Sequence, residues 1–220
     1  MKGTRLLNNT EIRQVSACFT GTFSVRNRGL FMLGFSTGGR ISELLNLSIG
    51  DVWQSRRAVT DLLFDKSIVK GGEISCAVPV NCDGRRAIDE LIAFHRERYR
   101  TTRANCPLFP SRNKNGRVAM NRQTAHEMLK QAFTAAGLNG KLATHSIRKS
   151  FAQRAYEESS DIYLVQELLE HRSVATTQKY IGVNYATARQ TVEAMAVERD
   201  RTIFRHVHFG FSAVNSRKCR

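Results

Sequence analysis

The sequence predicts a mainly α-helical domain with one small three-stranded antiparallel β-sheet, an α+β arrangement. Three observations carry this. Apolar residues recur at three- and four-residue spacing through most of the chain, as in Ile88, Leu91, Ile92 and Phe94 or Ile162, Val165, Leu168 and Leu169. Capping residues and glycine stops bracket those runs. Between Ala58 and Val80 the period shortens, and Gly71-Gly72 separates two strand-like runs, a hairpin signal. With 41% hydrophobic residues in 220, the chain can bury one sizeable core.

Taken in order, Asn8 and Glu11 have capping-box spacing ahead of Ile12, Val15, Cys18 and Phe19 on one helical face. A second helix covers Val25 to Phe35, apolar enough to be buried, and Gly38-Gly39 ends it. A short helix then turns Ile41, Leu44, Leu45 and Leu47 inward. Ala58 to Phe64 and Ile74 to Val80 read as strands, with Lys66 and Lys70 between them before the glycine turn. Helical signals resume from Asp83 to Arg100, and Pro107, Pro110, Asn113, Asn115 and Gly116 punctuate the loop that follows. Asn121 caps a helix to Ala136, which Gly137 stops. Helices follow over His145 to Glu157, Asp161 to Leu169, Ser173 to Tyr180 with Gly182 as its stop, and Tyr185 to Glu198. Ile203, Val207, Phe209 and Phe211 then alternate as in a strand. Residues 1–198 read as one domain, and 199–220 as a basic C-terminal tail carrying an edge or exchanged strand.

The formal net charge of +15 calls for a polyanionic partner. No stretch forms a long basic amphipathic helix, which favours double-stranded DNA over a membrane surface. The longest apolar run, Leu30 to Phe35, is too short to span a bilayer, and the N-terminus has no signal-peptide pattern. A cytoplasmic location is expected. Cys18, Cys76, Cys82, Cys106 and Cys219 are odd in number and irregularly spaced, which argues against a disulfide framework or a zinc site. His206-Val207-His208 reads as a strand with two surface histidines rather than a metal site.

Three scattered motifs carry chemistry: Gly38-Gly39-Arg40, His145-Ser146-Ile147-Arg148, and His171 nine residues before Tyr180. A phosphodiester resists attack because its own charge repels nucleophiles. Its cleavage rests on neutralising the non-bridging oxygens and aligning nucleophile with leaving group. Arginine suits the first task through its planar, permanently charged fork. Arg40 and Arg148, each near a helix start, could clamp two oxygens. His145 and Arg148 share a helix face roughly opposite the apolar set. His171, at a turn, could reach the same phosphate. Tyr180 could be the nucleophile, and Lys70 on the hairpin an acid for the leaving oxygen. Singly, each has a plainer reading: Arg40 with Glu43 as a surface ion pair, Tyr180 as one of five structural tyrosines, Lys70 as a hairpin lysine.

The ordered set resembles the catalytic signature of tyrosine recombinases, the phage-integrase and Xer-like group. Thr37-Gly38-Gly39-Arg40-Ile41-Ser42-Glu43-Leu44-Leu45, Val78-Pro79-Val80, His145-Ser146-Ile147-Arg148-Lys149-Ser150-Phe151-Ala152 and Val165-Gln166-Glu167-Leu168-Leu169-Glu170-His171 carry the likeness, over residues 10–185. It implies the tyrosine recombinase catalytic-domain fold. It implies that Tyr180 attacks DNA to form a 3′-phosphotyrosyl link, that Arg40, Arg148 and His171 stabilise the pentacoordinate phosphorus, that His145 assists proton transfer, and that Lys70 protonates the leaving 5′-oxygen. No metal or cofactor is implied. Four protomers on two DNA sites, joined through their C-terminal segments, are. Glu170 stands where most of the family has glycine, Lys66 competes with Lys70, and no core-binding domain precedes Arg40.

The expected function is therefore site-specific DNA recombination or integration. Relaxation of DNA in the manner of a type IB topoisomerase, or DNA binding by a catalytically weak remnant, are the alternatives.

Overall fold

The computed structural model describes residues 3–64, 77–181, 189 and 192–195. The chain divides into two compact units, Met1–Gly182 and Val183–Arg220. Of the second, Arg189 and residues 192–194 are helical, and Val192 and Met195 are exposed. The Gly71-Gly72 hairpin with Lys66 and Lys70, Gly182, His206, His208 and the C-terminal strand pattern all lie outside the described residues.

Helix α1 (Asn9–Ala17) begins with the expected capping box. Asn8 Oδ1 accepts from the Glu11 N–H at 2.9 Å, and Glu11 Oε2 accepts from the Asn8 N–H at 3.0 Å. Helix α2 (Ser24–Thr37) is the central element. Leu30, Phe31, Leu33 and Phe35 are all buried, so it presents no polar stripe to water. It lies against α5 (Cys82–Tyr99) and α7 (Thr144–Ser159). The approach to α5 is close because position 29 is glycine; a Cβ there would sit 2.7 Å from Leu91 Cγ.

Short helices α3 (Ile41–Asn46) and α4 (Ile49–Val52) lead into the strands β1 (Trp53–Gln54), β2 (Arg57–Ala58), β3 (Asp61–Leu63) and β4 (Ala77–Pro79). The expected three-stranded sheet is instead, among the described residues, two antiparallel two-stranded ladders, β1 with β2 and β3 with β4. The reason is a change of partner within the run from Ala58 to Phe64, which reads as one strand in the sequence. The Val59 N–H bonds back to the Val52 carbonyl, and one residue on the Thr60 carbonyl accepts from the Val80 N–H. Ser55 and Arg56 both have positive φ, 50° and 62°, so a two-residue turn of the primed type joins β1 to β2 and keeps that ladder short. Leu62 is buried beneath β3 while Leu63 faces out, as the two-residue period requires.

Asn81 and Asn121 cap α5 and α6 (Arg122–Ala135) with their side chains. One large core joins α1 to α6 with Ile147 of α7. A small second cluster, Ala152, Val165 and Leu169, joins α7 to α8 (Ile162–Leu168), with Phe151 and Tyr180 packed against it. Among the described residues no helix is long and apolar enough to cross a membrane.

Candidate active site

Arg40 sits at the junction of α2 and α3. Helix α2 ends because Gly38 takes the left-handed conformation, φ 65°, and its N–H bonds back to the Gly34 carbonyl. A Cβ on Gly38 would also meet Phe151 Cδ1 at 2.4 Å, so φ and space both demand glycine. Two residues on, Arg40 is the N-cap of α3 and leaves its side chain largely in solvent. Glu43 holds it there. One carboxylate oxygen accepts from the Arg40 N–H at 2.6 Å and the other from its guanidinium at 2.5 Å. The plain ion-pair reading of Arg40 is thus realised in this structure, and the same contact fixes where the guanidinium points.

Arg148 lies one turn inside α7 and is 5% exposed. The expectation that the His145–Arg148 face avoids burial therefore holds only for His145, which is exposed. Arg148 is buried because it bridges two helix ends. Nη1 donates to the Gly38 carbonyl at 2.6 Å, and Nη2 donates to the Leu169 carbonyl after α8. Both acceptors are carbonyls that a helix leaves unpaired at its C-terminal end. Burial, and then the Arg40 charge, pull the Arg148 pKa down to about 10, while Glu43, Tyr180 and Glu170 oppose the shift. At neutral pH it remains a cation with two fixed hydrogen bonds.

Helix α8 ends in a Schellman motif. The His171 N–H bonds to the Gln166 carbonyl at 3.0 Å and the Glu170 N–H to the Glu167 carbonyl at 2.9 Å. That motif needs a left-handed residue at its C′ position, which is Glu170, with φ 50°. A family preference for glycine before this histidine is therefore a backbone requirement, and glutamate meets it with strain of about 1 kcal/mol.

His171 follows and is buried, with Nδ1 3.0 Å from Thr177 Oγ1. Thr177 is fully buried on α9 (Val174–Gln178), a short helix that Ser173 caps by accepting from the Ala175 N–H. The Tyr180 N–H bonds to the Thr177 carbonyl at 2.8 Å, one turn later. This returns the tyrosine ring to the histidine: their centroids are 4.9 Å apart. Burial, and then the charges of Arg148 and Arg40, hold the His171 pKa down at about 4. Burial also lowers His145, with the charges of Arg122, Arg148, Arg40 and Lys149 contributing after it. Both imidazoles are neutral at pH 7 and can each donate one hydrogen bond.

Five of the six residues singled out from sequence thus occupy one electrostatic neighbourhood: Arg40, His145, Arg148, His171 and Tyr180. Lys70, the sixth, lies outside the described residues. Sequence reasoning gave no role to Thr177 or the Leu169 carbonyl. Threonine six residues after a histidine was the visible signal for the first; a backbone carbonyl leaves none. The arrangement offers a fixed cation, an exposed second cation, two neutral imidazoles and a phenol, a set suited to an anionic electrophile such as a phosphodiester.

A family model described as the phage integrase family matches residues 5–187. A tyrosine recombinase XerD from Mycobacterium tuberculosis is 35% identical over 171 residues, covering 77% of this chain and 52% of that protein. A tyrosine recombinase XerA from Pyrococcus horikoshii is 33% identical over 174 residues, covering 77% and 55%. The chain spans about half the length of these curated relatives. Among solved structures, a XerA recombinase superposes with TM-score 0.69 at 23% identity, covering 89% of this chain and 66% of that one. A XerH site-specific recombinase bound to difH substrate in a pre-cleavage complex gives 0.65 at 23% identity, over 87% and 54%. Both carry the fold described above.

Proposed function

The chain belongs to the phage integrase family, and from that premise we propose that it acts on double-stranded DNA as a site-specific recombinase through a 3′-phosphotyrosyl intermediate. The observation that carries this is the pairing of the His171 and Tyr180 rings, 4.9 Å between centroids, beside a buried arginine cation.

The Tyr180 phenolic oxygen attacks the scissile phosphorus. The bond between phosphorus and the 5′-oxygen breaks, leaving a 3′-phosphotyrosine ester and a free 5′-hydroxyl. Attack by the 5′-hydroxyl of another strand reverses these steps on a new partner. One phosphodiester is exchanged for one tyrosyl ester, so no nucleotide is consumed. Arg40 and Arg148 neutralise the non-bridging oxygens as charge builds on the pentacoordinate phosphorus. Arg40 meets this need on release from Glu43, or by sharing its fork between Glu43 and phosphate. With the Thr177 hydroxyl donating to Nδ1, His171 carries its proton on Nε2, the donor offered to a phosphate oxygen. Thr177 is then a positioning residue. His145, exposed and neutral, takes the phenol proton. Lys70 gives a proton to the leaving 5′-oxygen. The basic surplus of the chain supports binding of the DNA backbone. Protomers assemble on DNA through the C-terminal segment, as a tetramer for two sites.

The test uses DNA duplexes with a nick beside the candidate cleavage site, which trap a covalent adduct when the short 5′ fragment diffuses away. A denaturing gel should show an adduct that Tyr180→Phe removes. No adduct on any cognate site, with binding intact, would mean that the chain occupies DNA without cutting it. Relaxation of plasmids lacking any such site would instead indicate topoisomerase activity.

A further inference from the structure

A second cationic cluster lies at the other end of α2. Phe23 precedes the helix, and three guanidinium groups surround its ring. The Cζ atoms of Arg26, Arg98 and Arg112 are 4.4, 4.6 and 5.9 Å from the ring centroid. With all three within 6 Å of one point, no two lie more than about 12 Å apart. They come from separate elements: the first turn of α2, the last turn of α5, and the loop after Pro110. The loop is held against α5 at Gly116, where a Cβ would meet Tyr99 Cδ1 at 2.8 Å.

Buried cations are ordinarily paired with an anion. Arg26 is 1% exposed, yet its partners are neutral: the Pro110 carbonyl at 2.6 Å from Nη1, and Asn27 Oδ1 at 3.1 Å from Nε and 2.7 Å from Nη2. Among the described residues no carboxylate lies within ion-pair distance of Arg26, Arg98 or Arg112. Burial pulls the Arg26 pKa down to about 10; Tyr99 opposes the shift, and Arg112 and Arg98 add smaller contributions to it. Arg98 and Arg112 are exposed residues. Helix α2 adds its positive end, with no side-chain cap and no acidic residue in its first turn.

We propose that the Phe23–Arg26–Arg98–Arg112 cluster is a phosphate-binding site separate from the tyrosine site. Helix α2 is 14 residues long, which sets the two cation clusters about 21 Å apart along its axis. A ligand with two or more negative charges on phosphate oxygens fits. Arg98 and Arg112 would engage it directly, and Arg26 would supply field from beneath. The phosphate belongs to a nucleic-acid backbone or to a free phosphate compound.

The test is calorimetric titration of the full chain with inorganic diphosphate. Arg98→Gln/Arg112→Gln leaves the buried Arg26 in place, and Arg154→Gln, an exposed arginine on α7, is the control. The double variant should bind diphosphate at least about 10-fold more weakly, with the control near wild type. Equal binding by the double variant, or no saturable binding by wild type up to about 10 mM, would overturn the proposal. A DNA arm separates the sources. If the backbone is the ligand, the slope of log affinity against log salt falls by about 2 in the double variant. If that slope holds while diphosphate binding is lost, the ligand is a free phosphate compound. The diphosphate arm does not depend on strand cleavage, so a chain that never forms an adduct can still pass it.

Discussion

Replacing Arg148 should damage the fold as well as the chemistry, and the two can be measured apart. The guanidinium is 5% exposed and donates to the carbonyls of Gly38 and Leu169, the ends of α2 and α8. A hydrogen bond from a charged donor contributes about 1.5–3 kcal/mol. Arg148→Ala removes two and leaves two buried carbonyls unpaired in a space that an arginine filled. Relief of the arginine's own desolvation offsets part of that loss, and a net loss of about 3–4 kcal/mol follows. Against a total of about 5–15 kcal/mol for a domain, that is between about a fifth and four-fifths of the stability, so the variant is best assayed at low temperature. Arg148→Lys keeps the charge but cannot span both acceptors, and should lose about 1.5–3 kcal/mol. Urea unfolding followed by circular dichroism reads these differences, with m near 2–3 kcal/mol/M placing the midpoint of the alanine variant roughly 1–2 M below wild type. Adduct assays at low temperature, where both variants are folded, then report the loss of phosphate stabilisation alone. If Arg148→Ala unfolds within about 0.5 kcal/mol of the exposed control Arg154→Ala, the bridging role is wrong.

Four more outcomes follow from the same geometry. Glu170→Gly should raise stability by about 0.5–1 kcal/mol by relieving the left-handed backbone at φ 50°, seen as a higher urea midpoint. Gly38→Ala should lower it by about 2–4 kcal/mol, from φ 65° and the 2.4 Å approach to Phe151, and Phe151→Leu in the same chain should recover part of that loss. Thr177→Val should slow adduct formation by about 10-fold, with the maximum of the pH–rate profile displaced, because His171 loses the bond at Nδ1 that sets its tautomer. Stability should also fall with acid. The His171 pKa is about 4 in the fold against an ordinary 6.5, so below pH 6.5 the unfolded chain takes up a proton that the native state refuses. Its contribution is complete above pH 6.5 and disappears as pH falls toward 4. Urea midpoints between pH 7.5 and 5 should drop less steeply for His171→Asn than for wild type.

The sequence alone determined most of the helical elements through apolar spacing and local chemistry at their ends, but not the short α4. Asn8 with Glu11, Asn121 and Ser173 cap where residue type and spacing said they would, while the Asn81 cap of α5 was not read and lies two residues before the expected start at Asp83. The primed turn at Ser55-Arg56 was not legible, since neither residue is the glycine or asparagine that such a turn favours. Nor was the partner change at Val59–Thr60, which depends on two segments far apart in sequence. The order of Arg40, His145, Arg148, His171 and Tyr180 was likewise legible, and the fold brings the five into one neighbourhood. Only the tertiary structure decided that Arg148 is buried and joins two helix ends, and that the Thr177 hydroxyl meets His171 Nδ1. The first arises from packing between segments up to 110 residues apart, and residue type does not report which helix end an arginine will reach. The Phe23 cluster has the same origin: three arginines far apart in the chain meet at one ring because α2, α5 and the loop after Pro110 converge there.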